Sequence, residues 1–309
     1  MRALVARRLD GPDAIELTET AVPEPAAGQV RIKVAAAAVN PVDVAISTGL
    51  PVRFGLTAAR AQFGLGWDVA GTVDAVGPNT RVQVGEAVIG VADLLGRSLK
   101  THAEYVVLDA DAVVRAPQGV EPVEAATYGL NGLTALQAIR ALQPQPGQTV
   151  LVTGISGGVG SLTAQIARHA GLTVIGSARS TDQDQHHHQD QAIVDSTADL
   201  ADAVRRIAPG GVDGLVDAAV VGVGAQEAVR NGGRHVHLQG GPRPPHLRGI
   251  TVEQLFVNAN QTDLQELVRL IEARVVSTRV ADTYPLEQAA LAYKRLAEGG
   301  VRGRLVLVP

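Results

Sequence analysis

The sequence predicts an α/β protein of two domains, a β-rich unit followed by a doubly wound parallel sheet. Three observations carry this. Short apolar runs broken by Gly and Pro fill residues 30–114, helix-length and strand-length apolar segments alternate after residue 120, and a glycine-rich segment, 154–160, joins a strand pattern to a helix pattern. A chain of 309 residues exceeds one small domain. The 46% hydrophobic and 19% charged composition is that of a folded protein, which removes the disordered and collagen-like classes. Cysteine is absent, so disulfides, thiol nucleophiles and thiolate metal sites are excluded. A net charge of -4 offers no general attraction to nucleic acid or to an anionic membrane. No window reaches the roughly 18–20 apolar residues of a membrane span. The apolar run within residues 1–10 is too brief for a signal-peptide core and reads as the first strand, so the expected location is the cytoplasm.

The elements follow in order. Residues 30–34 alternate as a half-buried strand, 41–48 read as a short helix, and 104–108 as a further strand. Beyond Ala116-Pro117 the stretch 123–142 is helical until Pro144 and Pro146 close it, which sets a domain boundary near residue 120. Residues 149–153 form a continuous buried-type strand, 160–170 a helix, and 172–176 a second strand. Apolar runs at 192–194, 214–216 and 236–238 continue the alternation. Residues 264–273 and 286–297 are amphipathic helices, and 304–308 is a terminal strand suited to rejoin the first domain. The expected division is 1–119, completed by 277–309, and 120–276. Residues 181–191 are a polar, low-complexity tract where the next helix of the series is due; its His186, His187 and His188 read as a solvated run.

Chemistry concentrates at Gly154-Ile155-Ser156-Gly157-Gly158-Val159-Gly160. Glycines permit a tight turn and close approach of a pyrophosphate, and the free N–H groups of the helix start stabilise its charge. A plain close-packed strand-to-helix turn is the alternative. Ile155 departs from the strict G-x-G-x-x-G spacing, and Gly154 is expected to take over the turn. About 20 residues on, where an acidic residue would bind the ribose 2′-OH of NAD, the chain reads Ser177-Ala178-Arg179-Ser180. Arg179 suits a 2′-phosphate with Ser177 and Ser180 as donors, which favours NADPH. His235 and His237 alternate on one strand face and are expected to be satisfied by hydrogen bonds rather than by a metal.

The chain resembles the zinc-free quinone oxidoreductase and enoyl reductase branch of the medium-chain dehydrogenase/reductase superfamily. The landmarks are Val39-Asn40-Pro41-Val42-Asp43, Gly66-Trp67-Asp68-Val69-Ala70-Gly71, Val84-Gly85-Glu86-Ala87-Val88, Gly132-Leu133-Thr134-Ala135-Leu136, the glycine turn, and Tyr284-Pro285-Leu286-Glu287. The resemblance implies a GroES-like β-barrel domain, a Rossmann domain and a cleft joining them. Zinc-dependent relatives carry Cys at the place of Asn40 and His at that of Trp67, so no catalytic metal is expected. By position, Asn40 and Thr134 lie near the nicotinamide, Ser156, Gly157, Gly158 and Val159 at the pyrophosphate, and Gln239, Phe256 and Val257 along the nicotinamide pocket. Arg304 replaces a frequent Lys and is placed with the cofactor, a surface position on the last strand being the alternative. Arg53, Phe54 and Trp67 are assigned to the substrate pocket. No catalytic residue is secure; Asn40, Asp43 and Asp68 are weak candidates.

Reducing an ordinary ketone creates an alkoxide and calls for a Lewis acid or a placed proton donor, whereas conjugate hydride addition spreads the charge. The expected activity is therefore NADPH-dependent reduction of a small-molecule quinone or α,β-unsaturated carbonyl. The alternatives are an enoyl reductase acting on a polyketide-like biosynthetic intermediate and a non-catalytic NADPH sensor or scaffold. The last is motivated by Leu50-Pro51-Val52-Arg53-Phe54 standing where many relatives carry a tyrosine. A homodimer is compatible with the resemblance.

Overall fold

A computed structural model describes residues 1–179, 192–238 and 240–309. Two compact units emerge: Met1–Leu130 with Asn258–Glu272 and Thr278–Pro309, and Asn131–Val257 with Ala273–Ser277.

The first unit opens with β1 (Arg2–Ala6), β2 (Ile15–Glu19) and the long β3 (Gln29–Val39), followed by helices α1 (Pro41–Ser47) and α2 (Leu50–Arg53). Strands β4 (Phe63–Gly64), β5 (Asp68–Val76), β6 (Ala87–Val91), β7 (Tyr105–Asp109) and β8 (Val113–Arg115) lead to α3 (Pro122–Ala125). Alternation in β3 sends Val30, Ile32 and Val34 into a core with Val69, Val73, Val88 and Leu108. Ile32 is fully buried, and truncating it to Ala would cost about 2–5 kcal/mol. One face of β3 cannot account for its length. The strand is long because it serves three partners, β5, β7 and the last strand of the chain.

Helix α4 (Gly129–Leu142) crosses from the first unit into the second. The second unit then runs β9 (Thr149–Val152), α5 (Gly158–His169), β10 (Thr173–Ala178), β11 (Ala192–Asp195), α6 (Leu200–Ile207), β12 (Val212–Asp217), α7 (Val223–Gln226), β13 (Val229–Leu238) and β14 (Thr251–Leu255). Its six strands are all parallel in the order β11-β10-β9-β12-β13-β14. Counted within the unit this is 3-2-1-4-5-6, the dinucleotide-binding order, whose switch point lies between β9 and β12. Leu151, Ile175, Val204, Val212 and Leu215 pack its core.

The chain returns to the first unit as α8 (Gln261–Glu272), β15 (Val280–Pro285), α9 (Ala289–Glu298) and β16 (Arg304–Val308), the last pairing with β3 as its sequence suggested. The domain division differs from the expected one at two places. The first boundary falls inside α4 rather than at residue 119, because a single helix carries the chain across. Residues 258–272 belong to the first unit, since α8 buries Leu264, Leu267 and Leu270 and packs against β8. A short 3-10 turn, Leu286–Gln288, follows Pro285, so α9 starts three residues later than the apolar period predicts. The polar tract 181–191 lies outside the described residues.

Candidate active site

In the second unit, β9 ends at Val152 and the backbone turns through Gly154, whose φ of 61° is the left-handed conformation, into α5. The turn that the strict motif would assign to the position of Ile155 is thus made by Gly154. Ile155 instead buries its side chain at the place a β-carbon on Gly176 would occupy, 2.5 Å from Ile155 Cδ1. Gly160 lets the helix start close on the turn: a β-carbon there would lie 2.2 Å from the Gly154 carbonyl oxygen. Gly157 is the N-cap of α5 and supplies no side-chain cap, so the first N–H groups of a twelve-residue helix point out of the carboxyl edge of the sheet. These features fit a nucleotide pyrophosphate.

Arg179 is exposed just past β10, the strand end where the adenosine ribose of such a nucleotide belongs. Ser177 corrects its expected role. It is buried, and its Oγ accepts a hydrogen bond from the Gly154 N–H at 3.4 Å, so it braces the turn rather than facing a phosphate. Thr134 is half-buried on α4, Phe256 is exposed just past β14, and Val257 is half-buried beside it. Ser180 and Gln239 lie outside the described residues.

The first unit buries a chain of polar groups behind the start of α1. Asn40 stands at the N-cap, and Asp43 accepts from the Asn40 N–H at 2.9 Å and from the Gly66 N–H at 2.8 Å. Asn40 Nδ2 donates to Asp68 Oδ2 at 2.7 Å, while the other oxygen of Asp68 accepts from the Leu130 N–H. Arg304 Nη2 donates to Asn40 Oδ1 and, at 3.2 Å, to the Val39 carbonyl. Burial pushes the Asp68 carboxyl up to about 6, opposed by the charge of Arg304 and the hydrogen bonds from Leu130 and Asn40. Burial likewise lowers the Arg304 guanidinium, against the attraction of Asp68 and Asp43.

Both oxygens of Asp43 and both of Asp68 are thus engaged by donors within the unit. Both carboxylates thereby hold the backbone and amide of Asn40 and its surroundings in place. Arg304 is neither a surface group nor turned outward to a cofactor: only 7% of it is exposed, and it fixes the amide of Asn40.

Trp67, assigned to the substrate pocket, is only 5% exposed and lies beneath Lys100, whose Nζ sits 3.5 Å from the ring centroid. Burial draws the Lys100 ammonium down to about 7. The indole packs against a buried amine. Beside them the His102 ring faces the Ala38 carbonyl through Nε2 at 3.1 Å and the Tyr293 hydroxyl through Nδ1 at 2.8 Å. A carbonyl only accepts, so Nε2 carries the proton and Nδ1 accepts from Tyr293. Arg53 and Phe54 are exposed at the end of α2, with Arg53 Nη2 donating to the Thr48 carbonyl. Lys100, His102 and Tyr293 gave no signal in the sequence, because Lys100 and His102 lie in a polar run that reads as loop.

His235 and His237 do share a face of β13, beside Asp217 at the end of β12. The expectation that hydrogen bonds satisfy them is met only in part: His237 Nδ1 hydrogen-bonds Asp217 Oδ2 at 3.4 Å. Among the described residues, neither ring nitrogen of His235 has a hydrogen-bond partner, nor does Nε2 of His237, although both residues are fully buried.

Residues 26–118 match the alcohol dehydrogenase GroES-like domain, and residues 187–307 match a family described as zinc-binding dehydrogenase. A quinone oxidoreductase of Sus scrofa is 28% identical, the alignment covering 100% of this chain and 98% of that one. A 2-haloacrylate reductase of a Burkholderia species is 29% identical over 99% of this chain and 98% of its own length. A solved NAD-dependent alcohol dehydrogenase is 30% identical, with 100% of both chains covered and a TM-score of 0.85. The chain belongs to the medium-chain dehydrogenase/reductase superfamily. It is an oxidoreductase that uses a nicotinamide cofactor and a small-molecule substrate, built from a GroES-like and a Rossmann-type unit.

Proposed function

We propose that the chain is an NADPH-dependent reductase that delivers hydride to a quinone or an α,β-unsaturated carbonyl without a catalytic metal. The observation that carries this reading is the donor set of the first unit. A tetrahedral catalytic zinc takes three ligands from Cys, His and carboxylate. At the two places that resemblance assigns to such ligands stand a carboxamide, Asn40, fixed between Asp68 and Arg304, and an indole, Trp67, packed under Lys100. The neighbouring carboxylates have both oxygens engaged, so the residues do not fit the ion.

The residues do fit a dinucleotide. The N–H groups at the start of α5 are oriented for the pyrophosphate, Gly154 and Gly160 keep the approach clear, and Arg179 meets a 2′-phosphate. NADPH, when bound, supplies the hydride. An acceptor whose negative charge spreads through a conjugated system needs positioning and hydrogen-bond donors more than a Lewis acid. Asp43 and Asp68 hold Asn40, and the proton that completes the reduction comes from solvent or from another side chain of the cleft. The similarity to a quinone oxidoreductase and to a 2-haloacrylate reductase supports the same acceptor chemistry.

Chelation tests the reading. Initial rates of NADPH oxidation by 1,4-benzoquinone are expected to be the same before and after exhaustive treatment with a chelator at 25 °C; a loss restored by added zinc with no accompanying change in Tm would overturn the metal-free mechanism.

A further inference from the structure

We propose that Asp217, His235 and His237 form a site for one divalent transition-metal ion, of the zinc class, inside the second unit. The register of the sheet builds it: Asp217 on β12 pairs with His237 on β13, and His235, two residues earlier, projects from the same face. Asp217 Oδ2 lies 3.4 Å from His237 Nδ1 and 3.8 Å from His235 Nε2, and the three residues offer ligand atoms all within 4.8 Å of one another. Ligands bound tetrahedrally at about 2.0–2.1 Å stand roughly 3.3 Å apart, so modest side-chain rotation closes the set on one ion.

All three side chains are fully buried. Three ring nitrogens of the two imidazoles have no partner among the described residues, an expensive arrangement for groups removed from water. A cation held by His235 Nε2, His237 Nδ1 and the Asp217 carboxylate gives a partner to one of those nitrogens, His235 Nε2, and replaces the long His237–Asp217 contact with two metal bonds. Asp217 is already oriented as a ligating carboxylate should be. Oδ1 accepts from Thr153 Oγ1 at 2.7 Å and from the Val221 N–H at 3.0 Å, and Oδ2 from the Gly222 N–H at 2.7 Å.

The ion would tie β12, β13 and the loop 218–222 together. That loop holds Val220 at φ 55°, an uncommon conformation for a β-branched residue. The site's role is therefore structural. It shares no residue with the donor set weighed above for catalysis, and its test does not read turnover.

The experiment uses the full chain without an affinity tag and with His186, His187 and His188 changed to Gln, so that the histidine tract cannot bind metal. The protein is stripped with a chelator and titrated with Co²⁺, then Zn²⁺. One equivalent of Co²⁺ is expected to give the intense visible bands of a tetrahedral site, displaced by one equivalent of Zn²⁺ with a rise in Tm of several degrees. Separate His235→Leu and His237→Leu variants, checked for native circular dichroism, are expected to lose the bands and the Tm rise, while His169→Gln keeps both. Absence of a tetrahedral spectrum in the titrated parent protein overturns the proposal even if a variant fails to fold. Bands that persist in both folded variants overturn it too.

Discussion

Asn40 donates through Nδ2 to Asp68 at 2.7 Å, and neither side chain reaches solvent. Because Arg304 donates to the opposite end of the same amide, Asn40 has one orientation only. Asp68 in turn faces two donors, Asn40 Nδ2 and the Leu130 N–H.

Asp68→Asn should therefore destabilise the protein. Whichever way the new amide is turned, its NH₂ meets a donor, and Arg304 loses a counter-charge; the expected loss is about 1–3 kcal/mol. The deficit should depend on pH. Asp68 has its folded value raised from an ordinary 3.8 to about 6, so its contribution is fully present below 3.8 and fades as pH rises through 6. Denaturant titrations from pH 4 to 7 should show the gap between the two proteins narrowing with increasing pH; a gap that widens would contradict the arrangement.

Lys100→Met keeps a long flexible side chain over Trp67 and removes the buried charge. The lysine's folded value is depressed from 10.5 to about 7, so the stability it contributes is present above 10.5 and lost as pH falls through 7. Relative to the parent, Lys100→Met should gain stability as pH is lowered from 10 to 7. Thermal melts across that range check it, and a pH-independent difference would mean that the amine reaches solvent.

At the glycine turn, Gly160→Ala is expected to weaken cofactor binding at least tenfold, because its β-carbon would lie 2.2 Å from the Gly154 carbonyl oxygen and force the turn open. Fluorescence titration with NADPH reads this directly. Unaltered binding would show that the dinucleotide does not approach the start of α5.

Arg179→Ala should raise KM for NADPH by roughly ten- to a hundredfold and leave KM for NADH nearly unchanged, since only the former brings a phosphate to pair with the guanidinium. An equal effect on both cofactors would remove Arg179 from the recognition of the 2′-phosphate.

The parallel sheet was legible because its strands are buried on both faces and appear as unbroken apolar runs, as in residues 149–152. Strand β14 was not read, since Thr251-Val252-Glu253-Gln254-Leu255 is an edge strand whose polar residues dilute the signal. The glycine turn announced itself through composition. The partners of Asn40 did not: Asp68, Leu130 and Arg304 are brought to it by the pairing of β5 and β16 with β3 and by the start of α4, which local spacing does not encode. His235 and His237 were read as a pair on one face, but Asp217, which hydrogen-bonds His237, is brought beside them only by the pairing of β12 with β13.

The most direct measurement follows absorbance at 340 nm while the enzyme is offered NADPH or NADH with benzoquinones, naphthoquinones, enones and matched saturated ketones. The account predicts oxidation of NADPH in preference to NADH, by conjugated acceptors and not by their saturated counterparts. Turnover of saturated ketones at comparable rates, or binding of NADPH with no oxidation by any conjugated acceptor, would contradict it.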